Sequence, residues 1–433
     1  MSVASPIMIG VFVQFTVLIT DSAFLNRVGS IDFNASGNAG MLYVTLFMLA
    51  TGISNGAQVL IARRDGEKHF TEAGDLFRQT FFLLAITGVI FTVLLLLVNV
   101  LFLPPIVNDP STLIKMQEFL SVRSYGFIVA IPTLAFQSFY SGIAKTRMIM
   151  YYTLITAIGN VLLDYGMIFG NFGFEPMGLK GAALATVLSE ILALVFVILY
   201  TINDKQAKTY LLIRPFHIQW QRIREIMILS WPLMLQGAIS TGTWTIFFFF
   251  IEQMGPHDLE ISQIIRMFYL IALIPVLGIG SATRTFVSHL IAEGKTNEVI
   301  PTVRKIVILN LIASFLFTFS NIFFPALVIP FISENNAILG DAAYTLQVVT
   351  GAMFLLAVTS PLLNLISGAG DSKTAFRIEA ISIGIYLFGA WLLAVQYPQP
   401  ITIVWCLEYV YFGMMLFACL YYIQKGNWKN IKI

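Results

Sequence analysis

The chain has 433 residues, of which 58% are hydrophobic and only 11% charged, with a formal net charge of +2. Soluble domains carry about 25% charged residues, and a soluble core this apolar would have no polar surface left to cover it. The near-neutral balance gives no electrostatic footprint for nucleic acid and no call for an acidic partner, so the expected surroundings are a lipid bilayer.

A spanning helix needs about 20 mostly apolar residues. Twelve stretches qualify, at roughly 5–27, 38–62, 78–102, 119–143, 148–170, 178–202, 226–252, 259–283, 305–330, 343–367, 376–397 and 401–424. Turn chemistry separates them: Pro104-Pro105 and Asn108-Asp109-Pro110 after the third, Gly255-Pro256-His257-Asp258 after the seventh, Pro398-Gln399-Pro400 after the eleventh. In lipid only helices and closed barrels satisfy their own backbone hydrogen bonds, and spans this long are helices. The expected fold class is an all-α integral membrane protein with twelve transmembrane helices. The first apolar stretch follows the start of the chain almost directly, without a basic n-region or an A-x-A-like site, so no cleavable signal peptide is expected. Cys406 and Cys419 lie thirteen residues apart on one predicted helix. That is roughly 20 Å, too far for a disulfide.

Lysine and arginine set the orientation. With the N-terminus inside, 20 of the 25 basic residues fall on the even-numbered connections and the C-terminal tail; Arg27, Lys115, Arg123, Lys180 and Arg266 fall opposite or at the edge. The positive-inside rule then places both termini in the cytoplasm. The expected location is the plasma membrane, in a bacterium its cytoplasmic membrane.

The chain also repeats itself. Pro6 followed by Gly29 echoes Pro232 followed by Gly255, Gly52 to Gly66 echoes Gly280 to Gly294, and Ser141-Gly142 echoes Ser367-Gly368, at displacements of 226, 228 and 226. A duplicated six-helix unit is implied, giving two pseudo-symmetric bundles over 1–202 and 226–433 joined by a basic linker at 203–225. An even helix count per unit makes the halves parallel, with substrate expected between them as they rock to give alternating access.

Ionisable groups at membrane depth are expensive, roughly 2.5–3.5 kcal/mol on insertion scales, so each needs a reason. Asp21 lies late in the first span, near one helical face with Pro6, Gly10 and Gln14. Thr156, Asn160 and Asp164 form an i, i+4, i+8 stripe on the fifth span. Thr186 shares a face with Glu190 on the sixth, Gln137 with Tyr140 on the fourth, and Asn55 with Gln58 on the second. Plainer readings stand beside these: Asp21 as an interfacial acid paired with Arg27, the fifth-span stripe as a hydrogen-bonding seam, Glu190 as a partner for a neighbouring helix. The second half offers Gln236, Ser240 and Trp244 on one face of the seventh span, followed by Phe247 to Phe250. It adds Gln263 and Arg266 on the eighth and Ser360 and Asn364 on the tenth. None of these stripes holds a carboxylate, so acid chemistry is expected in the first half. His69, His217, His257 and His289 sit in or near loops and supply no cluster for a metal or an acyl-transfer triad. Gly52-Ile53-Ser54-Asn55-Gly56 matches G-x-S-x-G but lies inside a span with no strand or histidine, so it reads as small-residue helix packing.

The order of Pro6, Gln14, Asp21-Ser22-Ala23-Phe24-Leu25-Asn26-Arg27-Val28-Gly29, with Gly52 to Gly66 and then Gln263, Pro275 and Gly294, resembles the MATE (multidrug and toxic-compound extrusion) family over nearly the whole chain. The first block is similar to its first-helix pattern, from a proline to an aspartate near a Gly-Arg-x-Gly; the second is similar to its second-helix segment ending in G-A-G-D. The resemblance implies a secondary active antiporter exporting amphipathic or cationic drugs or toxic metabolites in exchange for H⁺ or Na⁺. It implies an N-lobe ion site at Asp21, Asn160, Asp164 and Thr186, where Na⁺ would also bind, with Gln137 as a further amide. Gln14, Asn55, Gln58, Tyr140, Gln236, Ser240, Trp244, Gln263 and Asn364 are the candidate substrate contacts. Some branches place a Glu on helix 7, where this chain has Ser240, and an Asp on helix 10, where it has none; Asn26 replaces a usual glycine. These departures argue against an ion site in the second half. No cofactor beyond the coupling ion is expected, and the expected state is a monomer.

Three rival readings differ by visible features. A lipid-linked oligosaccharide flippase of the same superfamily typically has extra helices and a strongly cationic cavity, whereas the basic candidates here are chiefly Arg266 and Arg123. A major-facilitator transporter carries a G-x-x-x-D-R motif between helices 2 and 3, which is missing. A membrane-embedded enzyme needs a nucleophile, metal or histidine constellation, and the sequence shows none.

Overall fold

The predicted spans are helical in the computed structural model, with the fourth, ninth and twelfth interrupted; it describes residues 4–107, 109–215, 217–333 and 335–431, and Asn108 of the predicted turn lies outside the described residues. In chain order the helices are α1 (Ala4–Val28), α2 (Ser30–Gly66), α3 (Phe70–Leu97), α4a (Pro110–Arg123), α4b (Gly126–Gly142), α5 (Arg147–Phe169), α6 (Gly178–Asn203), α7 (Trp220–Glu252), α8 (Pro256–Ala292), α9 (Thr296–Phe323), α10 (Leu339–Gly368), α11 (Ser372–Trp391) and α12 (Leu407–Lys425). Among the described residues eleven segments are long and apolar enough to cross a membrane alone, and α4a with α4b makes a twelfth, bent by 47°. No strand occurs among the described residues.

Several helices outrun their apolar windows. At 37 residues, α2 and α8 are each about 55 Å long, against a hydrocarbon core of about 30 Å. Hydropathy detects only the lipid-buried part, while the backbone ladder continues through polar turns. In α2 the extension ends on Arg63 and Arg64, cations placed where the helix dipole favours them. The ninth span is shorter than its apolar window, which runs to 330. Helix α9 stops at Phe323 because Pro325, which lacks an N–H, starts a new short turn, Pro325–Val328.

The sequence repeat is a repeat of elements. Helix α8 begins and ends 226 residues after α2, and α9 does the same relative to α3.

The bend in the fourth span falls at Ser124 and Tyr125, next to a buried charged pair. At the break the Ser124 carbonyl accepts from the Phe127 N–H at 3.1 Å and from the Thr92 hydroxyl of α3 at 3.0 Å, so α3 adds a side-chain bond where the helix is interrupted. Gly126 follows at a place where a Cβ would collide with the Arg123 guanidinium and lie 2.9 Å from a Glu190 oxygen. The glycine therefore leaves room for the charged pair inside the bundle.

The chain divides into two compact units, Met1–Met234 and Leu235–Ile433, with the division inside α7. In the first, α5 packs against α1 and α6, and α2 packs against α3, α4a and α4b. Part of the basic linker belongs to this unit: Tyr210 is buried edge-on to Phe70 and Phe139, at 5.3 and 5.2 Å, and its hydroxyl donates to Asp65 at 2.5 Å. In the second, α10 packs against α8, α9 and α12, and α11 against α12. Its core is aromatic, with Phe247, Trp405 and Phe412 each almost wholly buried.

Candidate functional site

Three helices of the first unit carry the predicted ion residues. Helix α1 approaches α5 closely where Gly10 meets Thr153; a Cβ at Gly10 would lie 3.2 Å from the Thr153 hydroxyl. That approach lets Asp21, three turns further along α1, reach α5. There Asp164 is completely buried and lies beside the Asp21 carboxyl. Asn160, one turn earlier on α5, is also buried next to Asp164, and its amide donates to the Thr186 hydroxyl of α6 at 3.3 Å. Thr186 donates in turn to the Ala182 carbonyl at 2.9 Å, leaving its oxygen free to accept. Beyond the acids, Phe24 and Phe169 meet edge-on at 5.5 Å.

The chemistry of this cluster lies in what it lacks. Both carboxylate oxygens of Asp164, one of Asp21 and the side-chain oxygen of Asn160 are buried without a hydrogen-bond donor among the described residues. Unsatisfied buried polar atoms are few in native proteins, and each calls for an explanation. Four such oxygens in one place are ligands of the hard kind that oxygen-bound cations prefer.

The other predicted residues of this unit do not join them. Gln137 is half-buried on α4b and makes no hydrogen bond to the four. Tyr140 is fully buried with its hydroxyl on Thr201 at 3.2 Å, and Gln58 is buried in the interior of α2. Both sit in packed interior, in contrast to Asn55, which is half-buried, and Gln14, which is exposed. Arg123, read from the sequence as an outer or cavity-lining base, is instead a buried partner of Glu190. Its two terminal nitrogens donate to the two Glu190 oxygens at 2.8 and 3.0 Å, and its guanidinium carbon stands 3.7 Å from the centre of the Tyr43 ring. The fork-to-fork geometry is the strong form of such a pair.

The second unit holds acids that the sequence reading missed. Glu379 of α11 is buried and accepts from Gln236, and from Ser240 at 2.5 Å. Glu408 of α12 is buried and accepts from Tyr386 at 3.0 Å and Tyr269 at 3.4 Å. The sequence reading drew its acids from the first half, whereas buried carboxylates occur in both. Gln236 and Ser240 are thus partners of a carboxylate, and Ser240 and Trp244 help line a cavity that Glu408 also lines. Asn364 instead accepts from Arg284 at 2.8 and 3.2 Å, and Gln263 is half-buried without a bond to either acid. The signal for Glu379 and Glu408 was present as single acids inside apolar windows, which is itself a functional pointer.

A family model described as MatE matches twice, over residues 6–166 and 232–392, with the displacement of 226 seen in the helix ends. A curated protein named "Probable multidrug resistance protein NorM" from Thermotoga maritima is 25% identical over 383 residues, covering 88% of this chain and 81% of that protein. One of the same name from Synechocystis is 21% identical over 423 residues, covering 94% and 89%. A solved structure described as the outward-facing conformation of a multidrug resistance MATE family transporter of the MOP superfamily matches with a TM-score of 0.90 at 17% identity, covering 100% of this chain and 96% of that one. At that identity the likeness is one of fold. Because the family match spans most of the chain in two copies, on a twelve-helix membrane fold, the chain belongs to the MatE family of membrane transporters.

Proposed function

We propose that the protein is a secondary active antiporter that exports amphipathic or cationic drugs or toxic metabolites in exchange for H⁺ or Na⁺. The observation that carries this reading is the buried Asp164, with no hydrogen-bond donor, beside Asp21. Two carboxylates in a poorly hydrated place do not both ionise cheaply, and a bound cation relieves the repulsion. Asn160 and Thr186 add neutral oxygens of the kind a hard cation accepts. Cation binding from outside draws α1, α5 and α6 together and expels substrate; the inward-facing state then releases the cation to the cytoplasm. The work comes from the difference in cation affinity between the two states. The multidrug-resistance names of the relatives support the substrate class. The pairing of Arg123 with Glu190 weighs against the flippase alternative, since it removes one of the few bases a cationic cavity would use.

The test is transport into inside-out membrane vesicles of a fluorescent organic cation such as ethidium, with pH and sodium gradients imposed separately. Accumulation that follows one gradient and collapses with it is expected. Accumulation independent of both would reject antiport.

A further inference from the structure

Helices α5 and α6 touch at Gly159, where a Cβ would lie 3.4 Å from the Ser189 Cβ. Between that contact and the start of α5 they leave an open groove of about 380 Å³. Its walls are Tyr151, Leu154, Ile155 and Ile158 of α5 with Phe196 and Tyr200 of α6. The α6 wall is fixed from behind: the Tyr200 ring meets the buried Tyr140 edge-on at 5.6 Å and lies 5.9 Å from Phe196. Arg147, the first residue of α5, precedes Tyr151, Ile155 and Ile158 by four, eight and eleven positions, so it heads the same helical face. It is exposed, and its charge acts on the Tyr200 phenol. Neither Arg147 nor Lys145, two residues before it, forms an ion pair among the described residues.

The groove is apolar along its length and cationic at one end. From Arg147 to Ile158 the face rises about 16 Å, close to half of a hydrocarbon core about 30 Å thick. Tyr151 and Tyr200 stand at the Arg147 end, the level at which tyrosine is enriched between lipid and water. A hydrocarbon chain suits the walls, and a phosphate suits Arg147, whose planar guanidinium meets phosphate oxygens two at a time. The second base, Lys145, favours a headgroup of net negative charge over a zwitterionic one. An organic cation would be repelled by both bases. Asp204 is the acid near Tyr200, but it is drawn inward to the buried Tyr140 hydroxyl.

We propose that this groove is a binding site for one anionic phospholipid, with its phosphate at Arg147 and an acyl chain lying between Tyr151, Ile155, Ile158 and Phe196. It lies within the unit Met1–Met234 and contains none of Asp21, Asn160, Asp164 and Thr186. A lipid seated there bridges α5 and α6 and so braces the bundle. The site does not rest on the export reading.

The test is native mass spectrometry of the purified full chain in mild detergent, titrated with phosphatidylglycerol or with phosphatidylcholine of the same acyl chains. Wild type is expected to retain one phosphatidylglycerol in preference and to gain thermal stability with it. Arg147→Gln, at an exposed position, is expected to weaken that binding about fivefold. Ile155→Trp fills the groove, leaves the charge in place, and is expected to weaken binding as much. Arg304→Gln removes an exposed base of the other unit and should bind as wild type. The proposal is overturned if the two lipids bind alike or if either groove variant binds as wild type. It is also overturned if Arg304→Gln weakens binding equally, which would mean diffuse surface charge, or if the face instead holds a second copy of the chain, seen as a dimer that Ile155→Trp dissociates.

Discussion

Asp164 of α5 lies buried beside Asp21 of α1, and neither of its carboxylate oxygens receives a hydrogen bond from the described residues. An unpaired buried charge is costly enough that such a group neutralises or acquires a partner. The basic group that acts on Asp21, Arg123, is already engaged by both oxygens of Glu190. Under the antiport proposal, a proton or a sodium ion supplies the positive charge that this cluster calls for.

Asn160 tests whether neutral oxygens share that work. Its amide is tied to Thr186, which leaves its oxygen beside the acids. Asn160→Ala is expected to raise the coupling-ion concentration for half-maximal export by about tenfold, the value of one good hydrogen-bonding or ligand contact. The maximal rate should stay near wild type. Titrating export against the coupling ion gives both numbers, and an unchanged midpoint would take Asn160 out of the site.

The Arg123–Glu190 pair is expected to be structural. Breaking a buried pair leaves one uncompensated charge, at a cost of about 3–5 kcal/mol, while replacing both partners by groups of similar volume is often neutral. Glu190→Gln should therefore lower thermal stability in detergent sharply, and Arg123→Met with Glu190→Gln should recover most of the loss. A stable Glu190→Gln protein with altered ion dependence would move Glu190 into the coupling machinery.

Ser240 supplies one of the two donors to Glu379. Ser240→Ala should cost about 1–2 kcal/mol of stability and shift substrate affinity. If the first unit alone couples, its dependence on the sodium or pH gradient should remain that of wild type. Loss of gradient dependence in this variant would make Glu379 part of an ion site.

Topology is open to direct labelling. Lys205, Lys295 and Pro256 are exposed, whereas Arg64 is half-buried and paired with Glu67 and Glu72, which makes it the poorer reporter. Cysteines at Lys205 and Lys295 should react with impermeant thiol reagents from the cytoplasmic side and a cysteine at Pro256 from outside. Reaction from the wrong side at any of the three would overturn the positive-inside orientation.

The twelve spans and their duplication were legible because lipid imposes length and apolarity on every helix, and because the repeat preserves helix ends. That Asp21, Asn160, Asp164 and Thr186 lie together was expected from the family resemblance, and helical spacing had already marked the stripe of Asn160 and Asp164. The bend at Ser124 was not legible, since it lies beside a pair between residues 67 positions apart, with Gly126 clearing the space. Glu379 and Glu408 escaped for a related reason. Each is the lone acid on its helix, and its donors come from other helices: Gln236 and Ser240 on α7, Tyr269 on α8, Tyr386 on α11. Stripes along one helix reveal residues that share a face, not partners brought together by packing.

The most direct measurement is gradient-driven export in inside-out vesicles by Asp21→Asn, Asp164→Asn and the double variant, each matched for membrane insertion. Two acids acting as one unit are not additive, so each single variant should abolish export and the double variant should be no worse than either. Full export by Asp21→Asn would contradict the account and leave Asp21 as an interfacial acid, and strictly additive partial losses would show that the two carboxylates do not share a site.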